Sequence, residues 1–503
     1  MFNLYSGILV IVLCLIGYLF AWKMSINERT RLSVFLLIIC GLLLRVFVAS
    51  DLYLHEWDER YHALVAKNLI EHPFVPTLYD NPVLSYDYTN WSGNHIWLHK
   101  QPLPLWCMAL SMWIFGINEI ALRLPSIVLS TIGIGLTFSI ATYFFNNKVG
   151  FIAAFLFSIH GLIIELSGGR VPTDHIDVFF LFFVELAVYF GILCIKKKNL
   201  LYNVLSGISV GAAILCKWFP ALIVLPIFFL LFIESKRFSA KEIIFHVILL
   251  LTVTCLIFLP WQIYIHRVFP LEAQWENKYN IRHFTETLQD MGGPFYYHFD
   301  KVRIIFGELI YIPLIWFIWK SGKNWRKFKR LAIITWFVIP YIFFSVAKTK
   351  MSAYILFTAP AIFIITAIFF HYLYVYRNRF RYKWIIYLVL ILLVGLPARY
   401  SIERTKPFQI RERNPLWAIE LRELNRIQEE NVLVFNMDHA IEAMFYTDFT
   451  VYPTLPQLQT LKELSDKGYT IIINDKGSLN TEYSKEDWIK IIKLTSYNQE
   501  TNF

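Results

Sequence analysis

The chain has 503 residues, of which 57% are hydrophobic and 17% are charged, and its mean hydropathy is +0.49. Soluble globular domains carry about 25% charged residues, so this composition excludes an ordinary soluble enzyme and predicts a polytopic membrane protein. The formal net charge of +10 does not indicate nucleic-acid binding, because most Lys and Arg residues lie in short loops between apolar segments. The six cysteines lie in or beside apolar stretches and are interpreted as small buried hydrophobes rather than disulfides or metal ligands.

About twelve transmembrane helices are predicted, since a spanning helix needs roughly 20 mostly apolar residues. The predicted spans are 5–22, 32–50, 120–145, 149–167, 174–195, 200–216, 218–233, 243–264, 303–320, 331–347, 353–375 and 383–399. No Lys or Arg precedes Lys23, so the first segment is interpreted as a retained helix rather than a signal peptide. The apolar segment 103–116 is short and begins among prolines, and we expect it to lie along the membrane interface.

The basic residues of the connecting loops predict the orientation of the chain. Six loops together hold about 20 Lys and Arg residues: 23–31, 148, 196–198, 236–241, 320–330 and 377–383. With twelve spans, all six loops fall on one face, which the positive-inside rule makes cytoplasmic. We therefore expect Asp58, the loop 265–302 and the C-terminal tail on the extracytoplasmic face of the cell inner (plasma) membrane.

A change in composition near residue 400 predicts two domains. Residues 1–399 are the predicted transmembrane domain, with outer loops at 51–119 and 265–302, and residues 400–503 are a predicted small external α/β domain. The predicted fold class is therefore an all-α polytopic membrane protein with interfacial helices and this α/β addition. In the external domain, the periodicity predicts helices at 415–430 and 457–467 and buried strands at 431–435 and 469–474.

Polar residues are concentrated where the predicted spans meet the outer face. Asp58 and Glu59 follow a hydrophobic segment that ends near Ser50, and acids at a membrane rim are costly and often functional. The other candidates are Arg60, Lys100, Arg170, Asp174, Arg282, Lys348, Lys350 and Tyr354. Arg170 and Asp174 are one helical turn apart, so we expect them to form a pair.

With these motifs in this order, the chain resembles the membrane glycosyltransferases of the protein O-mannosyltransferase and aminoarabinose transferase type. These are GT-C fold enzymes that use polyprenyl-phosphate sugars. The resemblance covers residues 32–375. It rests on Asp58-Glu59, Lys100-Gln101-Pro102 in place of Lys-Pro-Pro, Thr173-Asp174, Lys217 in a turn, Pro260-Trp261, and Lys348-Thr349-Lys350 followed by Tyr354.

The resemblance implies sugar transfer from a polyprenyl-phosphate donor to a lipid, glycan or protein acceptor, with membrane lipids as neighbours and no nucleic acid. It implies that Asp58 is the base for the acceptor, and a single displacement would then invert the anomeric carbon. Glu59 would support this base or hold the loop. By the same resemblance, Lys100, Arg282, Lys348 and Tyr354 would bind the donor phosphate with help from Lys350, while Arg60, Arg170 and Asp174 would shape the site.

Other interpretations of the same residues stay open. Arg282 could form a structural salt bridge, Arg170 and Asp174 could be a purely structural pair, and Lys217 is interpreted as a helix-end charge. The alternative function is a multi-pass transporter or lipid flippase. Transporters usually place charges near the bilayer midplane, whereas this chain concentrates them at one rim, which favours interfacial chemistry.

The sequence assigns no cofactor, although a divalent metal is conceivable. His55, Glu56, Asp58 and His62 carry suitable ligand atoms, but the two histidines are seven residues apart, so one ion would require a bent backbone. No metal ligand is therefore assigned. Neither the sugar nor the acceptor is specified by any motif.

Overall fold

The computed structural model describes residues 2–171, 175–323, 326–477 and 479–494. The chain forms two compact units, each made of several separate segments. The helical unit consists of Met1–Ala49, Lys100–Pro104 and Pro125–Arg411. The mixed unit consists of Ser50–His99, Leu105–Leu124 and Glu412–Phe503.

Helices account for nearly all regular structure before residue 412. They are α1 (Phe2–Ile26), α2 (Thr30–Ala49), α3 (Asp58–Glu71), α4 (Pro102–Phe115), α5 (Glu119–Phe144), α6 (Asn147–Ser158), α7 (Gly161–Ser167), α8 (His175–Lys197), α9 (Leu200–Lys217), α10 (Val224–Ser235), α11 (Ala240–Val268), α12 (Pro270–Thr285), α13 (Tyr297–Phe306), α14 (Tyr311–Gly322), α15 (Phe328–Val346), α16 (Ala359–Tyr376) and α17 (Lys383–Thr405). Short 3-10 helices occupy Phe219–Ile223, Glu308–Ile310, Ser352–Thr358 and Arg377–Arg379.

The apolar helices make this chain an integral membrane protein. Within the described ranges, nine helices are long and apolar enough to cross a membrane, or up to eleven if two bent helix pairs each count as one span. The pair α6 and α7 bends by 50°, and the pair formed by α13 and the segment Glu308–Gly322 bends by 118°. Together with the shorter apolar segment Phe219–Ser235, these helices account for the twelve predicted segments.

Three predicted spans differ from the observed helices. The segments 149–167 and 303–320 were predicted as continuous spans, but both contain a sharp break, and 218–233 begins as a 3-10 turn and is shorter than a full span. The outer loop predicted at 265–302 is largely helical, because it contains α12 and the start of α13. Hydropathy detects apolar composition, and composition alone does not locate a break in the backbone hydrogen bonds.

A buried arginine occupies the break between α6 and α7. Arg45 is fully buried on α2, and its Nη1 donates to the carbonyl oxygens of Gly41 at 2.8 Å and Ser158 at 3.3 Å. Its Nε donates to the hydroxyl of Ser130 at 2.8 Å. A helix end leaves carbonyls without intrahelical partners, and here the last residue of α6 gives such a carbonyl to a guanidinium that also needs acceptors.

The C-terminal part of the mixed unit is a small parallel α/β sheet. Its elements are α18 (Leu416–Glu423), β1 (Val432–Phe435), α19 (Ala440–Tyr446), β2 (Thr450–Val451), α20 (Leu458–Asp466), β3 (Thr470–Asn474), α21 (Thr481–Ser484) and β4 (Ile489–Ile492). The strand order is β2-β1-β3-β4, with every neighbouring pair parallel.

The two central strands confirm the prediction from sequence. Continuous apolar runs are typical of parallel strands buried on both faces, and Ile471, Ile472 and Ile473 of β3 are fully buried. The edge strands β2 and β4 were not predicted. β2 has two residues, and β4 exposes Lys490, as edge strands often do.

Candidate active site

Asp58 begins helix α3 in the mixed unit. Asp58 and Glu59 form its first turn, where carboxylates are stabilised by the helix dipole. The preceding Trp57 has a φ of 69° and a ψ of −132°, a sparsely populated backbone conformation that costs roughly 1–3 kcal/mol in a residue with a side chain. Asp58 is partly exposed, whereas Glu59 is fully buried. The neighbouring acids therefore occupy different environments.

Arg123 holds the buried Glu59 carboxylate with two parallel contacts. Its Nε donates to Oε1 at 2.6 Å and its Nη2 donates to Oε2 at 2.9 Å, and both side chains are fully buried. The backbone N–H of His55 donates to Oε2 at 2.7 Å, and His55 Nδ1 lies 2.6 Å from the same oxygen. Bidentate arginine–carboxylate pairs combine strength with a fixed orientation. This arrangement fits the loop-holding role of Glu59.

The clamp extends along the loop that precedes α3. Arg123 Nη2 also donates to the carbonyl of Tyr53 at 2.7 Å, and His55 Nε2 lies 3.1 Å from Asp51 Oδ2. Arg413 lies 3.4 Å from Asp51 Oδ1, and its backbone carbonyl accepts from Leu52 N at 2.7 Å. Arg123 faces the buried Glu59 carboxylate and Arg413 faces the buried Asp51 carboxylate, so each buried acid has a positive partner, as burial requires.

Sequence reasoning missed Arg123 and Asp51 as parts of this site. One available signal was Arg123 itself, which lies near the start of an otherwise apolar predicted span. Charged residues in such positions usually have a specific partner. A second signal was the spacing of Asp51, His55 and Glu59, which recurs every four residues. No sequence pattern, however, connects residue 59 with residue 123.

Arg60 contacts the C-terminal part of the mixed unit. Its Nη1 lies 3.2 Å from Oε1 of Glu442, a nearly fully buried residue of α19. Burial lowers the pKa of Arg60, but the nearby Glu442 charge outweighs this and the pKa is raised above its usual value. Burial raises the pKa of Glu442, but a hydrogen bond from His439 and the charge of Arg60 lower it more, so the net shift is downward. Arg60 therefore joins α3 to α19.

In the helical unit, the structure brings together two of the segments predicted to bind phosphate. The backbone N–H of Lys348 donates to the carbonyl of Phe284 at 3.3 Å, and that of Thr349 donates to His283 at 3.0 Å. The N–H of Lys350 donates to the carbonyl of Met291 at 2.8 Å. The turn after α15 is thus tied to the end of α12, which carries Arg282. These segments lie more than 50 residues apart in sequence.

The cations on these two segments have different environments. Arg282 Nε donates to Glu286 Oε2 at 2.8 Å in a largely exposed i,i+4 pair, so the salt bridge considered from the sequence is present. Lys348 is exposed. Lys350 is only 4% exposed, and its ammonium donates to the carbonyls of Ala347 at 2.6 Å, Ser345 at 2.7 Å and Phe344 at 3.4 Å. Burial, together with Lys348, lowers the pKa of Lys350.

Lys350 therefore caps the C-terminal end of α15. Replacing it with Met should lower the free energy of unfolding by about 1–3 kcal/mol, because the carbonyls at the helix end lose a charged donor. Chemical unfolding in detergent measures this change. Lys348→Met is the matched control and should cost less than about 0.5 kcal/mol, since that side chain is exposed. Equal effects of the two substitutions would contradict the capping role.

Tyr354 lies beside a lysine that the sequence analysis set aside. The Lys217 ammonium is 4.6 Å from the Tyr354 ring centroid and forms an ion pair with the buried Asp177 of α8. Lys217 is the last residue of α9, as expected of a helix-end charge, but the adjacent Trp218 has a φ of 65°. Lys217 is thus fixed by a carboxylate and an aromatic face rather than being only a solvated charge.

Two other predicted residues belong to the helical unit. Lys100 is half-buried, and the neighbouring Gln101 accepts a hydrogen bond at 3.0 Å from Gln262 near the end of α11. Arg170 Nη1 donates to the carbonyl of Thr405 at 3.2 Å. Asp174 lies outside the described residues, so the expected pair with Arg170 stays a prediction. Among the residues with described positions, no group of three or more His, Cys, Asp or Glu side chains is arranged to hold a metal ion.

Comparison with known proteins shows that the chain is similar to glycosyltransferases. Residues 99–264 match the family described as dolichyl-phosphate-mannose-protein mannosyltransferase. An undecaprenyl phosphate-alpha-4-amino-4-deoxy-L-arabinose arabinosyl transferase from Yersinia pestis is 26% identical over 274 residues, covering 52% of this chain and 47% of the relative. An uncharacterized protein from Aquifex aeolicus is 25% identical over 319 residues, covering 62% and 58%. The chain thus spans about half the length of the curated relatives it matches.

Solved structures show the same fold over most of the chain. ArnT from Cupriavidus metallidurans, bound to undecaprenyl phosphate, is similar with a TM-score of 0.59 and 13% identity, covering 91% of this chain and 89% of that one. The archaeal oligosaccharyltransferase AglB from Archaeoglobus fulgidus has a TM-score of 0.57 and 14% identity, with 84% and 64% coverage. These findings confirm the resemblance inferred from sequence: the chain has the GT-C fold of the polyprenyl-phosphate-dependent glycosyltransferases.

Proposed function

We propose that this protein transfers a sugar from a polyprenyl-phosphate donor to a hydroxyl or phosphate acceptor on the extracytoplasmic face of the inner membrane. The main support for the proposal is that two adjacent acids in a chain with the GT-C fold differ in burial and in ion pairing. Glu59 is buried and clamped by Arg123, while Asp58 is partly exposed at the start of the helix that this clamp fixes. The printed names of the relatives, with undecaprenyl and dolichol phosphates, support the choice of donor.

Asp58 acts as the base in this reaction. A polyprenyl-phosphate sugar already has a good leaving group, because the departing phosphate needs no general acid. The acceptor hydroxyl must lose its proton as its oxygen forms the new bond to the anomeric carbon, and a carboxylate within hydrogen-bond reach can take that proton. Attack from the side opposite the phosphate inverts the anomeric centre. A phosphate acceptor would attack with an oxygen that is already ionised.

The cations of the helical unit stabilise the leaving phosphate. Lys348, Arg282 and Lys100 bind its oxygens, and Tyr354 adds a hydroxyl donor. Groups that are aimed at charge developing in the transition state contribute about 3–4 kcal/mol each in a water-poor site. Lys350 acts indirectly, because its ammonium caps α15 and so fixes the turn that carries Lys348.

A transfer assay on Lys100→Ala tests the phosphate site. The variant should lose about 100-fold in kcat/KM for the donor, with an unchanged KM for the acceptor, because only the leaving group loses a contact. Lys467→Ala, which removes an exposed lysine after α20, is the matched control and should retain full activity. An unchanged donor KM and kcat in Lys100→Ala would remove Lys100 from the site.

Reporter fusions test the proposed orientation. Fusions that end at Arg326, in a basic loop, and at Asn431, before β1, should report opposite sides of the membrane, with Arg326 in the cytoplasm. A signal from the same side of the membrane in both fusions would contradict the proposed topology.

A further inference from the structure

A polar pocket lies in the helical unit, and none of the residues assigned above lines it. Its volume is about 250 Å³, and α14, α15 and α16 supply most of its wall. Lys320 and Arg330 contribute two positive charges to the lining, and Trp316, Tyr372 and Tyr376 contribute aromatic rings. Such a mixture differs from the purely apolar surfaces that face lipid chains.

Within the described residues, the two cations of this pocket contact aromatic rings and a backbone carbonyl rather than a carboxylate. The Lys320 ammonium lies 4.1 Å from the Tyr372 ring centroid and 4.7 Å from that of Trp316. Arg330 Nη1 donates to the backbone carbonyl of Lys320 at 3.4 Å. In the part of the chain that the structure describes, neither side chain forms an ion pair with a carboxylate. Two half-buried like charges that converge on one pocket repel each other unless an anion lies between them.

The cations of the pocket lie near the ends of two apolar helices, where a membrane helix is expected to meet the membrane surface. Lys320 is close to the end of α14 and Arg330 is in the first turn of α15, on either side of a connection predicted to be cytoplasmic. On α14 and α16, the exposed fractions of Ile315 and Val375 are 67% and 50%, as expected of side chains that face acyl chains. Trp and Tyr residues, such as Trp316 and Tyr372 of this pocket, are enriched where membrane helices meet the aqueous interface.

We propose that this pocket binds the phosphate of an anionic phospholipid headgroup, on the membrane face opposite the proposed transfer site. Basic pockets between transmembrane helices on the cytoplasmic side suit anionic headgroups. The Arg330 guanidinium can bind two phosphate oxygens in its plane, and Lys320, steered by its two rings, adds a point charge. The neighbouring apolar side chains offer a surface for the acyl chains. A soluble phosphate compound could bind the two cations, but it has no acyl chains to contact the apolar side chains.

Lipid binding to the purified full chain tests the proposal. Native mass spectrometry and thermal unfolding in detergent would compare added phosphatidylglycerol with phosphatidylcholine of the same chain length. Phosphatidylglycerol should bind at least tenfold more tightly. The double variant Lys320→Gln/Arg330→Gln should lose about tenfold or more in phosphatidylglycerol affinity. The matched control Lys241→Gln/Arg381→Gln removes the same charge from two exposed positions on the same predicted face and should bind as the parent does.

Soluble phosphate compounds and a further variant distinguish lipid binding from the alternatives. Glycerol 3-phosphate and inorganic phosphate should give no stabilisation at concentrations where the lipid saturates. Equal stabilisation by them would show a soluble phosphate ligand and overturn the lipid assignment, and equal losses in the pocket and control variants would show general surface attraction. If the double variant does not fold, Arg330→Lys keeps the charge but removes the bidentate donor, and it should bind phosphatidylglycerol more weakly. Unchanged binding in that variant would overturn the assigned role of Arg330.

Discussion

Asp58→Asn should lower the rate of sugar transfer by about 10²–10⁴-fold while leaving the amount of folded protein unchanged. An amide has nearly the same shape as the carboxylate but cannot accept the proton of the acceptor hydroxyl, and general bases typically contribute a factor of this size. The helix dipole contact that is lost is worth only about 0.3–1 kcal/mol, so folding should survive. The measurement is transfer from a polyprenyl-phosphate sugar by purified protein, with thermal unfolding followed in parallel.

Glu56→Gln is the matched control for this experiment. Glu56 is an exposed acid two residues before Asp58, and its neutralisation changes the same local charge. It should retain at least half of the parent activity. Full activity in Asp58→Asn would remove the proposed base, and an equal loss in both variants would show that overall negative charge, rather than one carboxylate, matters.

Of the single substitutions proposed for the mixed unit, Arg123→Met should cause the largest loss in the free energy of unfolding. It leaves the Glu59 carboxylate fully buried without its bidentate partner, and breaking a buried ion pair in this way costs about 3–5 kcal/mol. The loop from Asp51 to Tyr53 would also lose the guanidinium that binds its carbonyls. Chemical unfolding in detergent should show the loss, and transfer activity should fall with it because Asp58 is no longer held.

A double variant separates the pair from its parts. Glu59→Leu/Arg123→Met removes both charges, and it should recover most of the lost stability, since apolar replacements of both partners are often tolerated. As a comparison, Arg282→Ala breaks the exposed ion pair with Glu286 and should lower the free energy of unfolding by no more than about 1 kcal/mol. A double variant as unstable as Arg123→Met, or a cost below 1 kcal/mol for Arg123→Met, would contradict the clamp.

Local composition explains which elements were predictable. Long apolar runs identified most membrane helices, and the continuous apolar strands β1 and β3 were found because burial on both faces leaves a signal within a few residues. The break between α6 and α7 leaves no such signal, and Arg45, which contacts it, lies more than 100 residues earlier in the sequence. β2 is too short to show any period.

In the candidate site too, residues with a local sequence signal were predicted and their distant partners were not. Asp58, Lys100 and Lys348 were selected because polar residues at a membrane rim stand out against apolar neighbours and follow a known order of motifs. The ion-pair partners of three other charged residues were missed: Arg123 for Glu59, Glu442 for Arg60, and Asp177 for Lys217. Each of these contacts joins distant parts of the chain, and only folding brings the two charges together. From the sequence, Lys350 was assigned to phosphate binding. Its helix-capping contacts could not be foreseen, because they depend on a backbone turn that composition does not reveal.

A density map of the protein with a non-hydrolysable donor analogue would test the proposed roles of Asp58 and of the cations together. We expect the Asp58 carboxylate to face the anomeric carbon from the side opposite the phosphate, and Lys100 and Lys348 to lie within hydrogen-bond distance of the phosphate oxygens. An analogue bound with its sugar far from Asp58, or with its phosphate held by other residues, would contradict these roles.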